Sequence, residues 1–432
     1  MSAHERRIPQ FLIAAPSSGS GKTTVCVGLM ETLAHKGLKV QPFKCGPDYI
    51  DTKFHEKACG RPSVNLDSFF AEENHIRQIY RRFSTGADVC VVEGMMGLFD
   101  GFQRAKGSAG EIASILGIPV VLVVDAKSTA YSLAPLLKGF KEFSPDVNII
   151  GVIFNKVGSQ KHRQMLEEVC ADCGLESFGF IHKKNEADNP SRYLGLDFSA
   201  MNTSAAANLV AEHIDIERLL ESALKHSPDL AAFPVLETRP DCSHNVLIAR
   251  NKESFSFIYR EHLAEWAKAQ FFDPEEDLEI PQDIDLLYLP GGYPEKHLKT
   301  LSKCRKTMDS IRNYAQAGGK ILAECGGMMY LCQSILSDEG EYPMCGVLPY
   351  RISSRKEDRK LHLGYRSFTY NGLNFKGHEF HYTKFLEPQP ESVAEVFDAR
   401  GNKTETPIIR IGNTIASYTH LYWGVEDIFK LF

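Results

Sequence analysis

The segment that most restricts the fold is Pro16-Ser17-Ser18-Gly19-Ser20-Gly21-Lys22-Thr23-Thr24, which joins the apolar run FLIAA (11 to 15) to the helical pattern VCVGLMETLAHKG (25 to 37). Strand, glycine-containing loop, Gly-Lys-Thr and helix in that order build a phosphate cradle. Backbone N–H groups from Ser18, Gly19, Ser20 and Gly21 and the helix N-terminus at Thr24 surround the phosphates; Lys22 reaches the terminal ones, and Thr23 can hold Mg²⁺. The usual motif opens on glycine, where this chain has Pro16.

Further short apolar runs follow at 89 to 94 (VCVVEG), 118 to 126 (IPVVLVVDA) and 148 to 157 (NIIGVIFNKV). Runs without alternation suit strands buried on both faces and joined by crossover helices, so the expected class is α/β with a doubly wound parallel sheet. At 432 residues the chain exceeds one ordinary core. Periodicity weakens between about 183 and 245, apart from a helix expected through 204 to 225, and a second series then begins at 245 to 251, 283 to 292, 318 to 327 and 414 to 424. The expected domains are 1–235 and 245–432. Hydrophobic residues at 43% and charged residues at 24% match soluble globular chains, which excludes disordered and fibrous classes. A net charge of -6 gives no general attraction for nucleic acid or an anionic membrane. The polar start and the lack of a long apolar segment predict a cytoplasmic protein.

Two carboxylates, Asp48 and Glu93, fit beside the phosphate loop. Lys44, Asp48 and Asp51 sit on a Gly-Pro turn after a strand-like run, and Glu93 ends the strand that leads into the glycines at 94, 97 and 101. Carboxylates at strand ends can complete a Mg²⁺ site with Thr23, which phosphoryl transfer requires. Asn155-Lys156 ends another strand, at the corner where an asparagine can meet a purine edge.

In the second half, Ala323-Glu324-Cys325-Gly326-Gly327 links an apolar strand to an apolar helix start. Such an elbow exposes its side chain and aims helix N–H dipoles at it, which predicts a lowered thiol pKa and makes Cys325 the candidate nucleophile. Gly291-Gly292 at a strand end offer oxyanion donors, and His420 near the C-terminus offers a base. His378-Glu379-Phe380-His381 lacks the spacing of a helical metal motif and reads as a strand with a structural or substrate-facing role. The 11 cysteines are scattered and include one CxxC at 170 and 173 without a second pair, so neither disulfides nor zinc are expected.

Taken together, GKTT, KCGPDYIDTKFH (44 to 55), VEGMMGLFDG (92 to 101), LPGGYPE (289 to 295), AECGGMMYL (323 to 331), GHEFHY (377 to 382) and SYTHLYW (417 to 423) resemble the cobyrinic acid a,c-diamide synthase family over nearly the whole chain. The resemblance implies a dethiobiotin-synthetase-like ATP domain followed by a flavodoxin-like, class I glutamine amidotransferase domain with a Cys-His pair. It implies ATP and glutamine as co-substrates, Mg²⁺ as cofactor and a corrinoid acceptor activated as an acyl phosphate. Lys44 would then stabilise the transferring group, and Tyr49, Asp51 and Asp100 would contact the acceptor. Tyr193, Asn251 and Tyr422 stand where the family usually has histidine, aspartate and histidine. Alternatives of the same chemistry are cobyric acid synthase and nickel-sirohydrochlorin a,c-diamide synthase; a regulatory ATPase fused to an inert glutaminase-like module is the non-enzymatic one. A homodimer is compatible with the sequence.

Overall fold

Apolar runs without alternation become strands whose residues are all buried: β1 (Gln10–Ala14), β2 (Val40–Cys45) and β4 (Val89–Glu93) present no exposed residue. With β3 (Val64–Leu66), β5 (Val120–Asp125), β6 (Ile149–Val157) and β7 (Glu176–His182) they form a seven-stranded sheet in the order β3-β2-β4-β1-β5-β6-β7. Every neighbouring pair is parallel. Parallel pairing needs crossovers, supplied by α1 (Lys22–His35), α2 (Asp51–Cys59), α3 (Glu73–Ser84), α4 (Ala109–Leu116), α5 (Leu133–Phe143) and α6 (Gln160–Cys173). This places the loop after β1 and the residues ending β2, β4 and β6 on one edge of the sheet, where such folds hold ligands.

A computed structural model describes residues 7–182, 202–236, 244–266, 268–424 and 426–432. The Tyr193 position lies outside them. The chain divides into two compact units, Met1–Glu237 and Thr238–Phe432. The single helix expected over 204 to 225 is two, α7 (Thr203–His213) and α8 (Ile216–His226). Asp215 starts the second, its side chain accepting from the Arg218 N–H, so a cap interrupts a continuous apolar periodicity.

The second unit is built on β8 (Val246–Ala249), β9 (Gln270–Phe272), β10 (Leu286–Leu289), β11 (Ile321–Glu324), β19 (Ile408–Ile411) and β20 (Thr414–Ser417), in the order β19-β20-β11-β10-β8-β9. All pairs are parallel except β19 with β20. Its helices are α9 (Arg260–Glu265), α10 (Leu298–Leu301), α11 (Arg305–Gln316) and α12 (Gly326–Leu331). A small sheet combines β12 (Ser334–Ser337), β13 (Gly340–Pro343), β14 (Arg351–Ser353) and β17 (Lys384–Phe385). Another combines β15 (His362–Tyr370), β16 (Leu373–His381), β18 (Val396–Phe397) and β21 (Thr419–Tyr422). The stretch 414 to 424 therefore changes sheet at Tyr418: β20 continues the parallel sheet beside β11, whereas β21 carries His420 into the antiparallel one. No helix among the described residues is long and apolar enough to cross a membrane.

Candidate active sites

In the first unit, Gly21 adopts φ 92° and caps the N-terminus of α1. The left-handed conformation and the lack of space both require glycine, since a Cβ there would stand 2.3 Å from the Asn155 amide nitrogen. Ser20 ties the loop by donating to the Ser17 carbonyl (2.9 Å), and Lys22 Nζ donates to the Met96 carbonyl (2.7 Å). Burial, followed by repulsion from Lys44, lowers the Lys22 ammonium below its ordinary value.

Behind Lys22 lies a buried polar cluster. Thr23 Oγ1 donates to Glu93 Oε1 (2.5 Å), Lys44 Nζ reaches the same oxygen (3.3 Å) and Asp51 Oδ2 (2.8 Å), and His55 Nε2 meets Glu93 Oε2 (2.6 Å). The other ring nitrogen of His55 meets Ser63 Oγ at 2.9 Å. Burial opposes the charge on Glu93, but Lys44 and His55 outweigh it and hold the carboxyl well below the usual range. Burial likewise opposes the Lys44 ammonium, and Asp51 and Glu93 hold its pKa above the ordinary value. The Thr23 hydroxyl and the Glu93 carboxylate are hard oxygen donors side by side at a helix N-terminus, a set that fits Mg²⁺.

The other candidate residues of this unit make contacts of their own. Lys44 also donates to the Gly94 carbonyl (3.1 Å), so its ammonium has three acceptors on the protein. Asp51, expected at the acceptor, is buried against Lys44. Asp48 Oδ1, expected at the metal, accepts from the Ile50 and Asp51 N–H groups and caps the turn into α2. Asn155, expected at a purine edge, donates from Nδ2 to the Ser20 carbonyl (3.1 Å) while Oδ1 accepts the Lys156 N–H (2.9 Å); it braces the phosphate loop. Lys156 pairs with Asp125 at 3.0 Å. Asp100 accepts from the Gly97 N–H at 2.9 Å, and Tyr49 is buried. His55, inside the segment KCGPDYIDTKFH, joins the same cluster; nothing local in the sequence marks its link to Glu93, 38 residues away.

In the second unit, β11 ends at Glu324 and α12 begins at Gly326, leaving Cys325 between them with φ 46° and ψ -107°. A positive φ on a residue with a side chain is strained, and it is the geometry that a strand-to-helix elbow imposes on a nucleophile. The elbow is held by the Cys325 N–H donating to the Ser417 carbonyl (2.7 Å) and by packing so close that a Cβ on Gly326 would lie 3.0 Å from the Gly292 nitrogen. That proximity puts the Gly292 amide beside the elbow. His420 lies opposite His378 in the β16–β21 register, and Cys325 Sγ is 3.8 Å from the Phe380 carbonyl on the same strand, so nucleophile and base adjoin one stretch of β16.

The expected lowering of the thiol pKa is not what this geometry gives. Cys325 is 3% exposed, and burial followed by the Glu295 charge pushes its thiol upward, because a six-residue helix offers a weak dipole against full desolvation. Burial, then His378 and His381, pushes His420 down to about 3. Burial thus favours the neutral form of both groups. Below them, Glu379 accepts from Arg366 Nε (2.5 Å), Thr406 Oγ1 (2.6 Å) and His381 (2.7 Å); burial opposes its charge, but these partners bring it down to about 2. The GHEFHY segment thus supplies a buried ionic support under the pair.

Two family models match this chain: a CobQ/CobB/MinD/ParA nucleotide binding domain over residues 11–196 and a CobB/CobQ-like glutamine amidotransferase domain over 253–427. A cobyrinate a,c-diamide synthase of Priestia megaterium is 36% identical, covering 96% of this chain and 94% of its own length. A hydrogenobyrinate a,c-diamide synthase of Brucella abortus is 37% identical, covering 95% and 98%. The chain belongs to the a,c-diamide synthase family. A further cobyrinate a,c-diamide synthase, from Syntrophotalea carbinolica, is 37% identical with 96% of each chain covered.

Family membership gives the two unusual tyrosine and asparagine positions a structural reading. Tyr422 donates its hydroxyl to Glu261 Oε2, so the residue two after His420 is held by a buried carboxylate. Asn251 Nδ2 donates to Asp273 Oδ1 (3.0 Å) and Glu275 Oε1 (2.9 Å), contacts that an aspartate would turn into carboxylate repulsion.

Proposed function

We propose that this synthase uses ATP and glutamine to convert the a- and c-acetate carboxylates of cobyrinic acid, or of its cobalt-free hydrogeno form, to amides. The observation that carries the reading is a strained elbow cysteine and a buried histidine that adjoin one stretch of β16, in a chain that also holds a phosphate loop backed by Thr23 and Glu93. Nearly full-length similarity to a,c-diamide synthases supports the acceptor.

A carboxylate is a poor electrophile because its leaving group would be oxide; phosphorylation supplies a better one. The loop amides and Lys22 bind the triphosphate, and Asn155 keeps the loop in that shape. Thr23 and Glu93 would hold Mg²⁺, which would supply positive charge to offset that on the phosphate oxygens. Lys44 acts one layer back, fixing Glu93 and Asp51. At the second site Cys325 Sγ attacks the glutamine amide carbon while His420 takes the thiol proton and passes it to the departing ammonia. The Gly292 amide meets the developing oxyanion. Water then cleaves the thioester, releasing glutamate and restoring the thiol.

Mass spectrometry of the product from purified enzyme, ATP, Mg²⁺, glutamine and each tetrapyrrole tests the reading. Two amides on cobyrinic or hydrogenobyrinic acid are expected. No amide on either, four on the diamide, or amidation confined to nickel-sirohydrochlorin overturns it.

A further inference from the structure

After β10, the chain runs through Gly291-Gly292 and Tyr293 into a short turn, Pro294–Lys296. This turn packs onto the elbow itself: a Cβ on Gly326 would stand 2.7 Å from the Pro294 ring. Glu295 sits at its centre, and its Oε2 is buried with no hydrogen-bond partner among the described residues. The neighbouring cations are directed elsewhere, Lys296 Nζ to Glu253 (2.5 Å) and Arg359 Nε to the Ser354 carbonyl (3.2 Å). Of the charged side chains, Glu295 acts most strongly on the Cys325 thiol. A buried carboxylate oxygen without a donor is costly to maintain, and such groups persist where a ligand completes them.

We propose that Glu295 anchors the α-ammonium group of glutamine, the unmatched carboxylate oxygen beside the elbow receiving the substrate's cation while the amide carbonyl reaches Cys325. This inference rests on the reading of Cys325 as the glutamine nucleophile. Burial pushes the Glu295 carboxyl up to about 7, so without a cation it is poorly charged near neutrality, and an ammonium group favours its ionised form. An amide lacking the α-amine offers the carboxylate no such partner.

The test compares glutamine with glutaramate, which keeps the amide and carboxylate but lacks the α-amine, using the full chain and measuring release of glutamate or glutarate. The wild type should favour glutamine by on the order of 100-fold or more in kcat/KM. Glu295→Gln should lose most of that ratio through a raised KM for glutamine, with glutaramate changed less than about threefold; Glu295→Asp, which keeps the charge, should retain part of the discrimination. An equal fall on both amides, or an unchanged glutamine KM, overturns the proposal, as does a wild type that does not discriminate. Glutamine hydrolysis that survives Cys325→Ala would instead refute the underlying reading of the site.

Discussion

The imidazole of His420 lies against the backbone of Gly291, so closely that a Cβ at 291 would stand 2.0 Å from its Cε1. The ring is therefore seated by the absence of a side chain on the oxyanion loop. Gly291→Ala should displace it and lower glutamine hydrolysis by about 100-fold or more, while ammonium-supported amidation persists. Parallel steady-state assays with the two nitrogen sources check this.

Asn155 braces the phosphate loop through Ser20. Asn155→Ala removes a buried hydrogen bond, a change of about 1–3 kcal/mol, and should raise the KM for ATP by roughly 5- to 100-fold. The preference for ATP over GTP should not change. A relaxed base preference with unchanged KM would return Asn155 to a base-reading role.

His55 and Ser63 fix the second oxygen of Glu93, leaving the first toward Thr23. Partners of this kind set metal affinity, so His55→Ala should raise the Mg²⁺ concentration needed for half-maximal ATP binding by about 10- to 100-fold. Calorimetric ATP titrations at several Mg²⁺ concentrations measure it, with metal-free ATP binding as the reference.

Burial raises the Glu324 carboxyl to about 8, although Tyr288 Oη–H and the Leu421 N–H donate to it. Its folded value lies above the unfolded 4.5, so the native state binds the extra proton between these limits and stability falls as pH rises through that window. Glu324→Gln keeps an acceptor for Leu421 and should remove up to about 1.4 kcal/mol per pH unit of that slope. Denaturant titrations of both proteins at pH 5 and pH 8 show whether the slope disappears.

Much of the fold was legible because chemistry and strand ends coincide. The motif residues Lys44, Glu93 and Cys325 lie at or next to the ends of β2, β4 and β11, and the strand-like runs lead directly to them. What was hidden depends on distant contacts. The switch of sheet at Tyr418 follows from what flanks each half of the run: β20 lies beside β11, and β21 beside β16. Asn155 after a strand looks the same whether it faces a base or Ser20. The Cys325 thiol could be read from its elbow but not from its burial, which outweighs the short helix behind it.

The central claim is that Cys325 supplies ammonia to a separate ATP-dependent amidation. It is tested most directly by assaying Cys325→Ala with ATP and corrinoid, once with glutamine and once with abundant ammonium at high pH. The account predicts no amide from glutamine and amidation near the wild-type rate from ammonium. Failure with ammonium as well, or continued use of glutamine, would contradict it.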